Sequence, residues 1–388
     1  MNLFHWIVGS VLALAWFSRI ADAALGMPTL TDISRPEWDR KPSATPRVTI
    51  VVPARNEADD IEQSLISLLT LDYANYEVIA VDDRSTDRTG KIMDRVARQP
   101  HAHGRLTVIH IDTLPQGWLG KPHAMWSAAQ QASGEWLLFT DADVVFRPDS
   151  IRRALAYAEK ESSDHVVLFP TMVTKHGGEK MMIAFFQSLF VFGHRPWKVA
   201  DPKTSDHMGV GAFNMVRRPV YESIGTYKAL RMEVLDDMKL GKVIKNAGFA
   251  QRNVFGRDLI SIRWAKGTLG VVRNLSKNFF AVLSFQWPRA LASAFGVAFL
   301  NLLPFFGMLF AHGWNRLPYG IALGSIFLIY VGMSWKSPIP PYYFLLHPIG
   351  TVLFVYTILL SMSLTLRTGG ITWRGTFYSL DELKRGMV

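Results

Sequence analysis

The sequence predicts an α/β domain built on a parallel sheet and joined to a membrane-embedded C-terminal part. Three observations carry this expectation. Short β-branched runs alternate with helical stretches through the first half, as a parallel sheet covered by helices requires. Polar clusters follow three of those runs directly. Residues 279–366 contain Arg289, Arg316 and Lys336 but neither Asp nor Glu. Charged residues make up 19% of the 388, below the ~25% of an average soluble domain, and that apolar stretch accounts for the deficit.

Length allows two or three domains. The 42 Lys and Arg against 32 Asp and Glu leave a net charge of +10. This excess is not gathered into a basic stripe with interleaved aromatics, so nucleic acid is not expected as a partner and an anionic membrane surface is. The absence of cysteine excludes disulfides, thiolate metal sites and cysteine nucleophiles.

In chain order, residues 3–17 are apolar apart from His5 and Ser10, and the run stops at Ser18-Arg19. Ala21-Asp22-Ala23 looks like a small-residue cleavage site, which would make this a signal peptide. No Lys or Arg precedes the run and the first positive charge follows it. A signal-anchor helix over 1–27 with the body inside therefore satisfies the positive-inside rule better. Residues 28–46 read as a Pro- and charge-rich linker on the membrane side. Strands are expected at 48–52, 78–81, 106–111 and 136–140, with helices at 59–71 and 87–98. The segments 291–311, 319–335 and 342–366 each approach the ~20 residues needed to cross a bilayer. One N-terminal and three C-terminal crossings would leave the tail, with Arg367, Arg374, Lys384 and Arg385, on the outside. Either one segment is re-entrant or the tail breaks the charge rule. Residues 181–192 fit an interfacial helix or a buried helix of the body equally well.

Ligands of open α/β sheets lie at the carboxyl ends of the strands. There the sequence places Pro53-Ala54-Arg55-Asn56-Glu57, Asp82-Asp83-Arg84-Ser85-Thr86-Asp87 and Asp141-Ala142-Asp143. A single acidic strand end is usually a helix cap, but three should converge on one crevice. Two carboxylates one residue apart suit Mg²⁺ or Mn²⁺, which take oxygen ligands and often share substrate phosphates. Gly117-Trp118-Leu119-Gly120-Lys121 lacks the spacing and hydroxyl of a Walker A loop, and no G-x-G-x-x-G follows the first strand. A metal-held diphosphate without a P-loop points to a nucleotide-sugar donor.

The ordered set P-A-R-N-E, V-D-D-R-S-T-D and D-A-D resembles the GT-A nucleotide-diphospho-sugar transferases of glycosyltransferase family 2, over about residues 47–264. The resemblance implies a Rossmann-like mixed sheet, to which the apolar segments add one N-terminal and about three C-terminal transmembrane helices. A catalytic domain would span 47–278, a transmembrane region 279–366 and a polar tail 367–388. Gly117 to Ala124 is similar to a segment of the membrane-bound branch associated with hopanoid biosynthesis, which also resembles ceramide glucosyltransferases. Thr372-Trp373-Arg374-Gly375 is similar to that branch's tail. This second resemblance implies a lipid acceptor.

Carried onto this sequence, the resemblance implies that Asp83 binds the donor base and that Glu57 lines the nucleoside pocket beside Pro53 and Arg55. Asp143 would be the principal ligand of Mn²⁺ or Mg²⁺, with Asp141 supporting the metal or ribose. Lys121 would face the diphosphate. Asp236-Asp237-Met238-Lys239-Leu240-Gly241 resembles the E-D-x-x-L-G segment that holds the catalytic base, with Asp236 in place of Glu and Asp237 as the base; the pair could also cap the helix that follows. Ile260-Ser261-Ile262-Arg263-Trp264 keeps the Arg and Trp of the family's Q-x-x-R-W but not the Gln. That points away from a processive synthase while leaving Arg263 and Trp264 on the donor side.

The expected activity is an inverting, metal-dependent transfer of a sugar from a nucleotide diphosphate, a UDP-sugar first, to a membrane lipid. Alternatives are a polyprenyl-phosphate glycosyltransferase, or a membrane scaffold or transporter with a degenerate transferase domain. The expected location is the cell (inner) membrane, multi-pass, with the catalytic domain in the cytoplasm.

Overall fold

The computed structural model describes residues 2–335 and 337–387; Lys336, one of the three charges in the apolar stretch, lies outside them. The chain divides into two compact units. An α/β unit comprises Leu30–Val173, Lys198–Arg263 and Thr372–Val388, and a helical unit comprises Met1–Thr29, Thr174–Trp197 and Trp264–Ile371.

The chain opens with α1 (Leu3–Gly26) of the helical unit. The α/β unit then runs β1 (Val48–Ala54), α2 (Ile61–Leu69), β2 (Tyr76–Asp83), α3 (Thr89–Ala97), β3 (Leu106–Ile111), α4 (Gly120–Gln131), β4 (Trp136–Phe139), β5 (Val144–Phe146), α5 (Ser150–Lys160), β6 (His165–Phe169) and β7 (Thr171–Met172). Helix α6 (Gly177–Gly193) returns to the helical unit. There follow β8 (Asn214–Arg217), α7 (Arg218–Ser223), α8 (Thr226–Ala229), α9 (Asp236–Asn246), β9 (Gln251–Phe255) and β10 (Ile260–Ile262). The chain closes with α10 (Thr268–Val282), α11 (Trp287–Phe310), α12 (Leu317–Ser334), α13 (His347–Thr368), the hairpin β11 (Gly370–Trp373) and β12 (Thr376–Ser379), and α14 (Leu380–Gly386).

Seven strands form one sheet in the order β3-β2-β1-β4-β8-β6-β9. All neighbours are parallel except β8, which runs antiparallel to β4 and β6. The sheet is therefore mixed, as the resemblance implies, and not the purely parallel one that strand–helix alternation alone suggests. Every residue of β1 is buried, as a central strand covered on both faces demands. Successive strands build outward from β1 through β2 to β3, and then the order reverses to β4. That reversal is the switch point at which an α/β sheet opens a ligand crevice. The polar strand ends of β1, β2 and β4 meet there. A second sheet, β5-β10-β7, pairs β10 antiparallel with β5 and parallel with β7.

The stretch read as a linker is structured. Ile33 and Trp38 are buried in the α/β core, Asp32 bridges to Phe255, and Arg153 Nη1 donates to the carbonyls of Ile33 and Arg35 at 3.2 and 2.9 Å. Its prolines and charges suggested loose chain, but its two apolar anchors decide its course.

In the helical unit, four helices among the described residues are long and apolar enough to cross a membrane: Leu3–Thr29, Trp287–Phe310, Gly313–Ser334 and Pro341–Thr368. Helix α6 packs here and buries Met181, Met182, Ile183, Ala184 and Phe185. The N-terminus of α1 meets the approach to α12, where Asn2 N–H donates to Asn315 Oδ1 at 3.2 Å and His5 pairs with Tyr319 at 3.1 Å. Pro304 has no N–H for the Leu300 carbonyl one turn earlier; Trp16 Nε1–H donates to that carbonyl instead, at 2.8 Å. His347 lies between Tyr330 OH at 3.0 Å and Asn301 Oδ1 at 2.9 Å. Fourteen residues further on, about 21 Å along a helix, Ser361 Oγ accepts the Phe280 N–H at 3.0 Å. Helix α13 therefore runs antiparallel to α11. Gly307 of α11 lies against Tyr319 at the start of α12, so α12 is antiparallel to α11 as well. Consecutive helices α12 and α13 thus run in the same direction, with the start of α13 beside the last turns of α12.

Candidate active site

The loops after β1 and β2 are stitched together. Asn56 adopts φ 56° and Arg84 φ 57°, a left-handed backbone that is uncommon for non-glycine residues and concentrates at functional sites. Asn56 N–H donates to Ser85 Oγ at 3.0 Å, and Asn56 Oδ1 accepts the Thr86 N–H at 2.8 Å. Glu57 N–H donates to Thr89 Oγ1 at 2.8 Å. Asp82 accepts the Ser85 N–H and pairs with His110 at 3.1 Å, so it shapes this loop. Its neighbour Asp83 is fully buried; one oxygen accepts from Arg84 Nε at 2.7 Å, and Oδ2 has no hydrogen-bond partner among the described residues. A buried carboxylate oxygen in that state is costly unless a ligand N–H reaches it.

A second cluster joins the end of β4 to the starts of α4 and α9. Lys121 Nζ lies 2.7 Å from Asp141 Oδ1 and 3.6 Å from Asp236 Oδ1. Burial disfavours the Lys121 charge, but the surrounding aspartates outweigh it and hold the ammonium above its ordinary pKa. Burial likewise opposes ionisation of Asp141, and Lys121 reverses that, holding Asp141 below the usual carboxylate range. Asp236 is pushed up to about 7 by burial, with Asp237 and Asp141 adding to the shift and Lys121 opposing it; its Oδ2 has no hydrogen-bond partner among the described residues. Asp237 is raised mainly by burial. Its Oδ2 accepts the Gly211 N–H at 2.8 Å and its Oδ1 the Met238 N–H at 2.7 Å, so it does sit at the N-terminus of α9 as an anchored carboxylate. Asp143 is pushed up to about 7 by burial, then by Asp141 and Glu57. Glu57 is raised by burial, partly offset by Arg374.

Glycines permit this crowding. A Cβ on Gly211 would stand 2.4 Å from Asp141 Oδ2, and one on Gly120 2.3 Å from Asp83 Oδ2. A Cβ on Gly209 would meet the Asp237 carbonyl oxygen at 1.8 Å, and one on Gly241 the Met208 carbonyl oxygen at 2.0 Å. The loop before β8 therefore packs directly on the first turns of α9. Gln251 ties the same parts together, accepting the Met208 N–H at 2.8 Å and donating to the Gly241 carbonyl at 3.0 Å.

The structure thus gathers Arg55, Glu57, Asp83, Lys121, Asp141, Asp143, Asp236 and Asp237 in the α/β unit. Pro53 is buried within β1 opposite Val81 and shapes the strand end from inside the sheet. Arg263 follows β10 in the α/β unit. Trp264 belongs to the helical unit, its ring tilted against Phe186 at 5.1 Å and its carbonyl accepting from Asn274 Nδ2 at 2.6 Å. Two contributors carry no sequence signal for their part in the site. Arg84 stands inside its motif with no role assigned by the residue pattern, yet it pairs with Asp83. The C-terminal hairpin reads in sequence only as a tail, yet Thr376 Oγ1 accepts from Arg84 Nη1 at 3.1 Å.

The family profile described as Glycosyl transferase family 2 matches residues 49–225, which run from β1 to the loop before α8. Two 4,4′-diaponeurosporenoate glycosyltransferases of Staphylococcus aureus are similar along most of the chain. One, from strain bovine RF122 / ET3-1, is 22% identical over 343 residues, and one from strain USA300 is 21% identical over 346. Each alignment covers 86% of this chain and 89% of the relative. A mannosyltransferase from Pyrobaculum calidifontis, solved in complex with GDP-Man and Mn²⁺, shares the fold with a TM-score of 0.53 at 20% identity, covering 93% of this chain and 98% of that one. Residues 49–225 thus match the glycosyl transferase family 2 profile, and the chain is similar along most of its length to glycosyltransferases.

Proposed function

We propose that the protein transfers a sugar, with inversion and with the help of a divalent metal, from a nucleotide diphosphate sugar to a lipid at the membrane. The observation that carries this reading is the switch-point crevice, where an unpartnered Asp83 oxygen stands at one strand end and the Lys121–Asp141–Asp236 cluster at another.

Among the described residues no three His, Cys, Asp or Glu side chains form a protein-only metal cage. The donor set fits a metal of another kind. Mg²⁺ and Mn²⁺ commonly bind through one or two carboxylates plus substrate phosphates, and Asp143 with Asp141 supplies two. Asp143 is crowded by Asp141 and Glu57, and a divalent cation relieves that crowding. When bound, it would neutralise charge on the departing diphosphate. The mannosyltransferase of the same fold was captured with GDP-Man and Mn²⁺, which supports this assignment.

The remaining roles belong to the chain itself. Asp83 Oδ2 accepts an N–H from the donor base. Lys121 fixes Asp141 and adds positive charge where the leaving group develops negative charge. Asp237 takes the proton of an acceptor hydroxyl as the sugar bond forms; its two backbone hydrogen bonds hold it in place, and burial makes it a stronger base than an exposed carboxylate. Asp236 stands behind it against Lys121.

The apolar helices supply the membrane reading and favour a lipid acceptor. Since α12 and α13 both run antiparallel to α11, α11 leads across the bilayer and α12 and α13 together lead back. Body and tail then share one side, the cytoplasmic one by the positive-inside rule, and the basic tail obeys that rule.

The test is binding. Purified protein is screened against UDP- and GDP-sugars with Mn²⁺, with Mg²⁺ and with EDTA, reading melting temperature and sugar transfer. One class of nucleotide sugar should raise the melting temperature only with metal, and Asp143→Asn should abolish that rise. Stabilisation by no nucleotide sugar would overturn the proposal.

A further inference from the structure

The two residues between β11 and β12, Arg374 and Gly375, have φ 46° and 73°. Positive φ at both central positions is the signature of a type I′ hairpin, where Asn, Asp or Gly is the usual first residue. Arginine there is strained, and such strain concentrates where a side chain has a task. The tip is built into the α/β unit. A Cβ on Gly375 would stand 2.8 Å from Arg55 Nη2, and Thr376 Oγ1 accepts from Arg84 Nη1. Tyr378, two residues on, is buried.

Three guanidinium groups converge at this corner, and each keeps a buried nitrogen without a hydrogen-bond partner among the described residues: Arg55 Nη1, Arg84 Nη2 and Arg374 Nη1. Desolvation, then repulsion from Arg84, lowers the pKa of Arg55, and Arg374 adds to the effect. Arg84 is ion-paired with Asp83 at 2.7 Å, while Asp83 acts on Arg55 and Glu57 on Arg374 from further off. Like charges held together with unmet donors are unfavourable unless an anion with several acceptor oxygens completes them. The same corner offers the unpartnered Asp83 oxygen as an acceptor. An anion that also carries an N–H donor fits both needs.

We propose that Arg374, carried by the C-terminal hairpin, completes with Arg55 and Arg84 a pocket for the phosphate oxygens of the donor nucleotide, so that the tail is part of the donor site. The inference rests on the nucleotide-sugar reading above and adds to it a residue from outside the matched domain.

The experiment titrates full-length protein in detergent with UDP, GDP, uridine and guanosine by calorimetry, for the wild type, Arg374→Gln and Arg374→Lys. A polyprenyl phosphate is titrated in parallel. Arg374→Gln should weaken the preferred nucleoside diphosphate by about 10- to 100-fold, the worth of hydrogen bonds to a charged group, and leave its nucleoside within about twofold. Lys should restore part of the loss, because it keeps the charge without the fork. Should the Gln variant misfold, the Lys variant alone should still bind diphosphate more weakly than wild type with its nucleoside affinity intact. Diphosphate affinity unchanged in a folded Gln variant, equal loss of nucleoside and diphosphate, or loss confined to polyprenyl phosphate would each overturn the proposal. Wild-type protein that binds no nucleoside diphosphate would instead overturn the donor reading on which it rests.

Discussion

Lys121 Nζ stands 2.7 Å from Asp141 Oδ1 with its side chain 11% exposed. This pair joins α4 to the end of β4, and through Asp236 it reaches the start of α9. One cation therefore ties the end of β4 to the starts of α4 and α9.

Replacing Lys121 by Met should remove about 3–5 kcal/mol of stability, the usual cost of stripping one partner from a buried ion pair. Urea denaturation in EDTA checks this. An unchanged midpoint would show that solvent already screens the aspartates.

Two glycines in one loop should fail differently. A methyl on Gly209 meets the backbone carbonyl of Asp237 and one on Gly211 meets the Asp141 carboxylate. Gly209→Ala should lower stability by about 1–3 kcal/mol through overpacking. Gly211→Ala should swing a side chain aside, retaining most stability and losing transfer. Thermal melts and transfer assays on both variants separate the two effects.

Asp237→Asn should keep the Gly211 and Met238 contacts through its carbonyl oxygen only in part, yet fold and bind donor. Transfer to a hydroxyl lipid should fall by about 10²–10⁴-fold, the contribution of a positioned base. Asp236→Asn should lose less. A larger loss in the Asp236 variant would move the base to Asp236, and full activity in both would favour a phosphate acceptor, which needs no deprotonation.

His165 gives the fold a pH dependence. It is fully buried between Asn214 Oδ1 at 3.0 Å and Gln251 Nε2 at 2.8 Å. The Gln251 amide donates to Nδ1, which leaves Nε2–H to donate to Asn214. Burial lowers its pKa to about 4, against 6.5 when unfolded. A depressed folded pKa means that stability is full above pH 6.5 and is lost as pH falls towards 4, by an amount on the order of 3 kcal/mol. Denaturation midpoints between pH 7 and 4 should show this loss, and His165→Gln should flatten it.

The membrane path is testable because the chain lacks cysteine. Single substitutions Lys91→Cys and Lys384→Cys should react with an impermeant thiol reagent from the same side, and Asn315→Cys from the other. Labelling of Lys384→Cys from the side of Asn315→Cys would require three full crossings after the body.

The strands that frame the crevice, and the carboxylates at their ends, are legible in the residue pattern alone. Central parallel strands must be apolar on both faces, so the polar residues that follow them stand out: 48–52, 78–81, 106–111 and 136–140 fall on β1 to β4 within two residues at each end. The excess of apolar residues over 279–366 likewise announced helices long enough for a membrane. Tertiary structure alone decided the rest. Strand β8 is four residues long and begins at Asn214, too short and too polar to declare itself, and its reversal makes the sheet mixed. Ile33 and Trp38 turned a linker into core because two apolar anchors outweigh a run of prolines. Arg84 and Thr376 lie 292 residues apart, and no local pattern links them. A strand end is written by the burial of its own strand, whereas a hairpin that returns to the same crevice is fixed by the packing of everything between.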